Sequence, residues 1–102
     1  MATSHSNLGT VLYRLRDLAG ARTHHERALE IGEATLGPDH LNMAIRHSNL
    51  GHVLYRLGEL AGARTHYERA LAISQATVGP DHPTMATFRD NLDQVLQQLA
   101  GE

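Results

Sequence analysis

A segment of 42 residues is written twice in this chain, and that repetition limits what it can fold into. His5-Ser6-Asn7-Leu8-Gly9 returns as His47-Ser48-Asn49-Leu50-Gly51, the run from Leu18 to His24 returns as Leu60 to His66, and Gly37-Pro38-Asp39-His40 returns as Gly79-Pro80-Asp81-His82. Between residues 5–46 and 47–88, 30 of 42 positions are identical, so the two copies must fold alike. A third copy starts with Asn91-Leu92, which match Asn49-Leu50, and the sequence stops at Glu102. A unit this short cannot cover its own apolar face. Copies must therefore stack, and stacking gives a solenoid.

Apolar spacing makes each copy helical. Leu8, Leu12 and Leu15, with Val11 beside them, lie on one face of a helix with 3.6 residues per turn. Ala21, Ala28, Ile31 and Thr35, flanked by Leu29 and Leu36, define a second helix. The break between the two falls at Arg16-Asp17 and at Gly58-Glu59, where Gly58 suits a left-handed C-cap. The second break is Gly-Pro-Asp-His: Gly37 and Gly79 end a helix, and the following Pro cannot continue it. Asp39 and Asp81 are then expected to cap the next helix, with Pro83 in its first turn. These signals predict five helices, over about 3–16, 18–36, 40–57, 60–78 and 82–99.

Composition removes several classes of function. With nine basic and eleven acidic residues the net charge is −2, which lacks the concentrated positive field that nucleic acid or an anionic membrane requires. All nine basic residues are Arg, read here as the coding bias of a bacterial source. There is no Cys, which excludes disulfides, thiolate metal sites and a Cys nucleophile. No apolar run reaches the length of a membrane span and the first residues lack the layout of a signal peptide, so a cytoplasmic protein is expected.

Leu8-Gly9 with Leu12, Ala21 and Ala28, and Leu50-Gly51 with Leu54, Ala63, Tyr67 and Ala70, resemble the signature of the tetratricopeptide repeat. The 42-residue copy and the Gly-Pro-Asp-His turn look like the longer subclass of kinesin light chains and bacterial multidomain proteins. His5 and His47 stand where that family often has Trp, and His25 where Tyr67 fits better. The resemblance implies an all-α fold of antiparallel helix pairs stacked as a right-handed α-solenoid of about 2.5 repeats. Repeat 1 would cover about 2–43, repeat 2 about 44–85, and a terminal half repeat 86–102. It also implies a scaffold that binds an extended peptide or partner domain in a concave groove, as a module of a larger regulatory or signalling protein.

In such a groove the first helix of each pair supplies the lining. Asn7, Thr10, Tyr13 and Arg14 are the candidates in the first copy, Asn49, His52, Tyr55 and Arg56 in the second, and Asn91 and Gln94 in the third. Asn7, Asn49 and Asn91 form a ladder whose amides both donate and accept, which suits the N–H and C=O groups of an extended peptide. Arg14 and Arg56 supply forked donors for carboxylates, and Tyr13 and Tyr55 supply flat area with a polar tip. The same residues have plainer readings: the Asn side chains as register-setting bonds between helices, the Arg residues as a solvated face or internal ion pairs, and the Tyr residues as inter-helix packing. Ser6, Thr10, Thr87 and Asn91 occupy places where the family's clamp for C-terminal carboxylates has other residues, and only Asn49 matches. A C-terminal tail is therefore not the expected ligand.

The eight histidines do not read as a metal site, because no two lie three or four residues apart on one helix. No cofactor is implied. Ser6 and Ser48 have histidines near in sequence but no acid or oxyanion hole behind them, so no enzyme is expected. The alternative to a binding module is a self-assembling one. Leu92, Val95, Leu96 and Leu99 of the last helix would then form the contact of a homo-oligomer or domain swap.

Overall fold

The computed structural model describes residues 18–79 and 82–101. They form four α-helices: α1 (Leu18–Thr35), α2 (Leu41–Arg56), α3 (Leu60–Thr77) and α4 (Pro83–Ala100). These match four of the five expected helices to within a residue or so at most ends. The expected first helix, over about 3–16, lies outside the described residues. Each helix packs on the next in chain order, with a smaller contact between α2 and α4. That is the arrangement of a stacked helical repeat.

The turns follow the glycines. Gly37, Gly58 and Gly79 have φ of 89°, 82° and 90°, in the left-handed region where a Cβ costs roughly 1 kcal/mol or more. At the end of α2, Glu59 N–H donates to Leu54 C=O at 2.9 Å and Gly58 N–H to Tyr55 C=O at 3.1 Å. Together these form a Schellman C-cap and satisfy two carbonyls left over by the helix.

The helix starts differ from expectation. The N-caps of α2 and α4 are His40 and His82, whose Nδ1 atoms accept from Asn42 N–H at 3.1 Å and Thr84 N–H at 3.2 Å. An imidazole nitrogen two bonds beyond Cβ reaches the same N2 donor that a carboxylate would, so the aspartate one residue earlier is not needed. Asp39 instead pairs with Arg69 of α3 at 3.3 Å. Asp81 lies outside the described residues.

The core lies between α2 and its neighbours and comprises Met43, Ala44, Leu50, Leu54, Ala63, Tyr67, Ala70, Ile73, Phe88 and Val95, with Leu29 from α1. Glycines let the helices approach closely at two points: a Cβ on Gly32 of α1 would stand 2.6 Å from Met43 Sδ, and Gly51 of α2 faces Tyr67. A Cβ built on Gly51 would stand 3.0 to 3.2 Å from the Tyr67 ring, so the absent side chain is what lets α3 lay that ring on α2. On α1 the buried positions are Ala21, His25, Ala28, Leu29 and Gly32. Ile31 is only half-buried and Thr35 and Leu36 are exposed, so the buried stripe runs through His25 rather than along the apolar residues alone.

Two substitutions separate packing from backbone conformation. Gly51→Ala should lower stability in urea by about 1–3 kcal/mol, because Tyr67 must move to admit the methyl. Gly58→Ala, whose Cβ would meet nothing within 4 Å, should cost only the roughly 1 kcal/mol of a left-handed non-glycine residue. Equal losses would show that the close approach at Gly51 carries no special cost. Removing the imidazole cap in His82→Ala should destabilise by about 1 kcal/mol, with helical signal lost first from α4 in hydrogen exchange.

Candidate functional site

Helices α2 and α4 occupy equivalent places in successive copies, so positions 42 apart lie on corresponding faces. Asn49 and Asn91 are such a pair, and both are half-buried in the middle of their helices. Neither amide makes a hydrogen bond to any other described residue, which leaves their donors and acceptors available at a partly covered surface. The register-setting reading of the ladder finds no bond to support it there. Asn7, Thr10, Tyr13 and Arg14 lie outside the described residues.

Around the two asparagines, His52 and Gln94 form a second equivalent pair, both exposed. The imidazole of His52 is held below its ordinary pKa, chiefly by partial burial and further by the positive charge of Arg56. At neutral pH it is therefore an uncharged donor and acceptor. Ile45, one turn before Asn49, is 47% exposed, the most exposed large apolar side chain among the described residues. An apolar side chain thus stands one helical turn from the Asn49 amide.

Tyr55 and Arg56 are brought to the C-terminal end of α2. There, with Leu18, Gly58, Leu60 and Gln98, they line an open depression of roughly 370 Å³. Leu18 and Leu60 are the first residues of α1 and α3, so apolar side chains line the depression together with the polar Arg56 and Gln98. Spacing along one helix could not have revealed Leu18 and Leu60 as part of this site, since they belong to α1 and α3 and not to the helix that carries Tyr55 and Arg56.

The arginines of the outer helices are used differently. Arg22 pairs with Glu26 at 3.4 Å and with Glu59, Arg27 with Glu30 at 3.3 Å, and Arg64 with Glu68 at 3.3 Å. These are exposed pairs, each contributing little to stability.

The apolar residues of α4 divide. Val95 is fully buried and belongs to the core, so it is removed from the expected self-association contact. Leu92 and Leu99 are half-buried against that core, and Leu96 is 37% exposed. Leu54, the equivalent of Leu96, is covered by α3, where Gly62 would place a Cβ 3.2 Å from its Cδ1. No helix stands at the corresponding place beside Leu96 among the described residues.

Two residues with a marked relationship escaped the reading of the sequence. His47 of α2 and His66 of α3 bring their Nδ1 atoms to 2.9 Å. The signal was present, since His5 and His24 stand at the matching positions of the first copy, but the pairing crosses helices and is invisible to spacing on one. No group of three His, Asp or Glu side chains among the described residues is arranged to hold a metal ion. No helix among them is long and apolar enough to cross a membrane.

Comparison with known proteins places this architecture. A family model described as a tetratricopeptide repeat matches residues 1–61, and a second with the same description matches residues 48–84. No curated protein matches the chain in sequence. With more than half its length matched, and helix pairs packed through Gly51, Ala63, Tyr67 and Ala70 as the repeat requires, the chain belongs to the tetratricopeptide repeat family.

Proposed function

We propose that the chain is a non-catalytic binding module that holds an extended peptide, or an extended segment of a partner domain, against the face shared by α2 and α4. Repeats of this family generally mediate protein–protein interaction. The single observation that carries the finer reading is the pair of half-buried amides, Asn49 and Asn91, with no hydrogen bond to another described residue. Partly covered polar groups gain most from a partner that bonds them, because covering them further without one costs about 1–3 kcal/mol each. An extended backbone presents the N–H and C=O groups to do so. Ile45 and the depression beside Arg56 would then take side chains of the ligand, and the Arg56 guanidinium would favour an acidic one.

One observation favours a second reading. Leu96, with Leu92 and Leu99 beside it, gives α4 an apolar strip, and a second copy of the chain would cover it. The two readings place the contact on different faces and are separable.

An array of immobilised peptides probed with the wild-type chain and with Asn49→Ala tests the first. Peptides captured by the wild type should bind the variant at least tenfold more weakly, corresponding to the loss of one or two hydrogen bonds. Unchanged capture by Asn49→Ala would remove the groove from the function. Light scattering over a concentration series tests the second: a mass above 11.2 kDa that returns to the monomer in Leu96→Glu would assign self-association to α4. A monomer at every concentration would discard it.

A further inference from the structure

The contact between His47 and His66 is an edge-to-edge hydrogen bond between two imidazoles. Their ring centroids are 5.2 Å apart and their planes differ by 27°, while the Nδ1 atoms are 2.9 Å apart. Two stacked rings cannot approach so closely at any atom, whereas rings meeting in line through Nδ1 give about this centroid separation. One Nδ1 must therefore carry a hydrogen and the other must be bare. Both side chains are half-buried where α2 and α3 meet.

We propose that this pair is a proton-operated clasp between α2 and α3, closed while the two rings share one hydrogen and open when both Nδ1 atoms are protonated. The proton count distinguishes two steps. In the neutral pair one ring donates through Nδ1–H and the other is protonated at Nε2. A first proton adds to the free Nε2 of the donor, which leaves an imidazolium donating to a bare Nδ1, a shorter and stronger bond. A second proton can only enter at the accepting Nδ1. Two N–H groups then face each other with like charges behind them, and the bond is lost.

The surroundings assign the order. From α1, the carboxylates of Glu26 and Glu33 favour a charge on His66, against the burial that lowers its pKa. On α3, Arg69 opposes a charge on His47, which burial and the neighbouring His66 already push down to about 4. Arg46 on α2, adjacent in sequence, is directed instead toward α1, where it donates to Ala28 C=O at 3.3 Å. The charged residues of α4, Arg89, Asp90 and Asp93, are all exposed. His66 thus takes the first proton and His47 the second. Because the folded-state pKa of His47 lies below its ordinary 6.5, the clasp contributes fully above that pH, and its contribution is lost as pH falls from about 6.5 to about 4.

The consequence reaches the groove, since His47 and Asn49 lie two residues apart on α2. Opening the clasp loosens the helix that presents Asn49 and His52. The test needs no ligand and is independent of the proposed groove.

Imidazole Cε1–H signals of the full chain, followed by NMR from pH 8 to pH 3.5, should show His66 titrating first and His47 only near pH 4. Amide shifts at the α2–α3 contact should move with the second step. Independent titration of both rings near 6.5 would overturn the clasp. In parallel, the unfolding constant from urea curves should rise with acid about tenfold more in the wild type than in His47→Gln across the same window. Identical pH profiles for the two proteins would also overturn it, since the histidines and carboxylates away from the pair contribute equally to both.

Discussion

The fold depends on how closely its central helices approach. Helices α2 and α3 meet where Gly51 has no side chain, and the Tyr67 ring fills the space a Cβ would need. Around that point the contacts are made by Ala44, Ala63 and Ala70, each fully buried, so two backbones come near enough for a single aromatic ring to close the gap. A chain with four aromatic residues and no Trp has few large side chains with which to fill a core. It compensates by bringing helices together on small residues, where dispersion contacts are numerous because little separates the backbones. The rest of the stack is then set by register: once α2 and α3 are fixed, α1 and α4 occupy the two places that the repeat leaves beside them.

Much of this was legible in the sequence because the determinants are local and repeated. Leu50, Val53 and Leu54 fall on the face their spacing predicts, and Gly58 caps α2 as its position between two helical patterns requires. What spacing missed has a common physical cause. The cap of α2 is His40 and not Asp39, because the choice depends on which neighbour reaches a backbone N–H and on whether the aspartate has a better partner in Arg69. Val95 is core and Leu96 surface, although they are adjacent, because a helix turns about 100° per residue and only one of the two positions faces the core. Leu18 and Leu60 join Tyr55 and Arg56 around one depression from the first residues of two other helices. Each case is decided by a contact between elements, which a single period does not record.

His25 shows the limit of repeat logic. It stands where the second copy has Tyr67 and is equally buried, 3% exposed against 2%, yet its Nδ1 has no hydrogen-bond partner among the described residues. Burial, with the charges of His24 and His52, lowers its pKa, so the ring is kept neutral and serves as an aromatic filler with one polar atom unsatisfied. The two copies thus solve the same packing problem with different side chains. The histidine version carries a cost of desolvation that tyrosine avoids when its hydroxyl reaches a partner.

The same exchange, an imidazole where a plain aromatic would pack, has a different result at His47. Its ring meets a second imidazole, and the polar atom that would be a liability alone becomes one half of a hydrogen bond. An apolar aromatic at that position would hold α2 to α3 equally at every pH. Two imidazoles hold it only while one nitrogen stays bare, which makes the contact between these helices depend on proton concentration in a way that shape complementarity cannot. Since α2 also presents Asn49 and His52, the residue type chosen for internal packing constrains the surface on the same helix. With the proposed groove on the same helix, stability and binding would be coupled through α2, by two residues of sequence rather than by a long path.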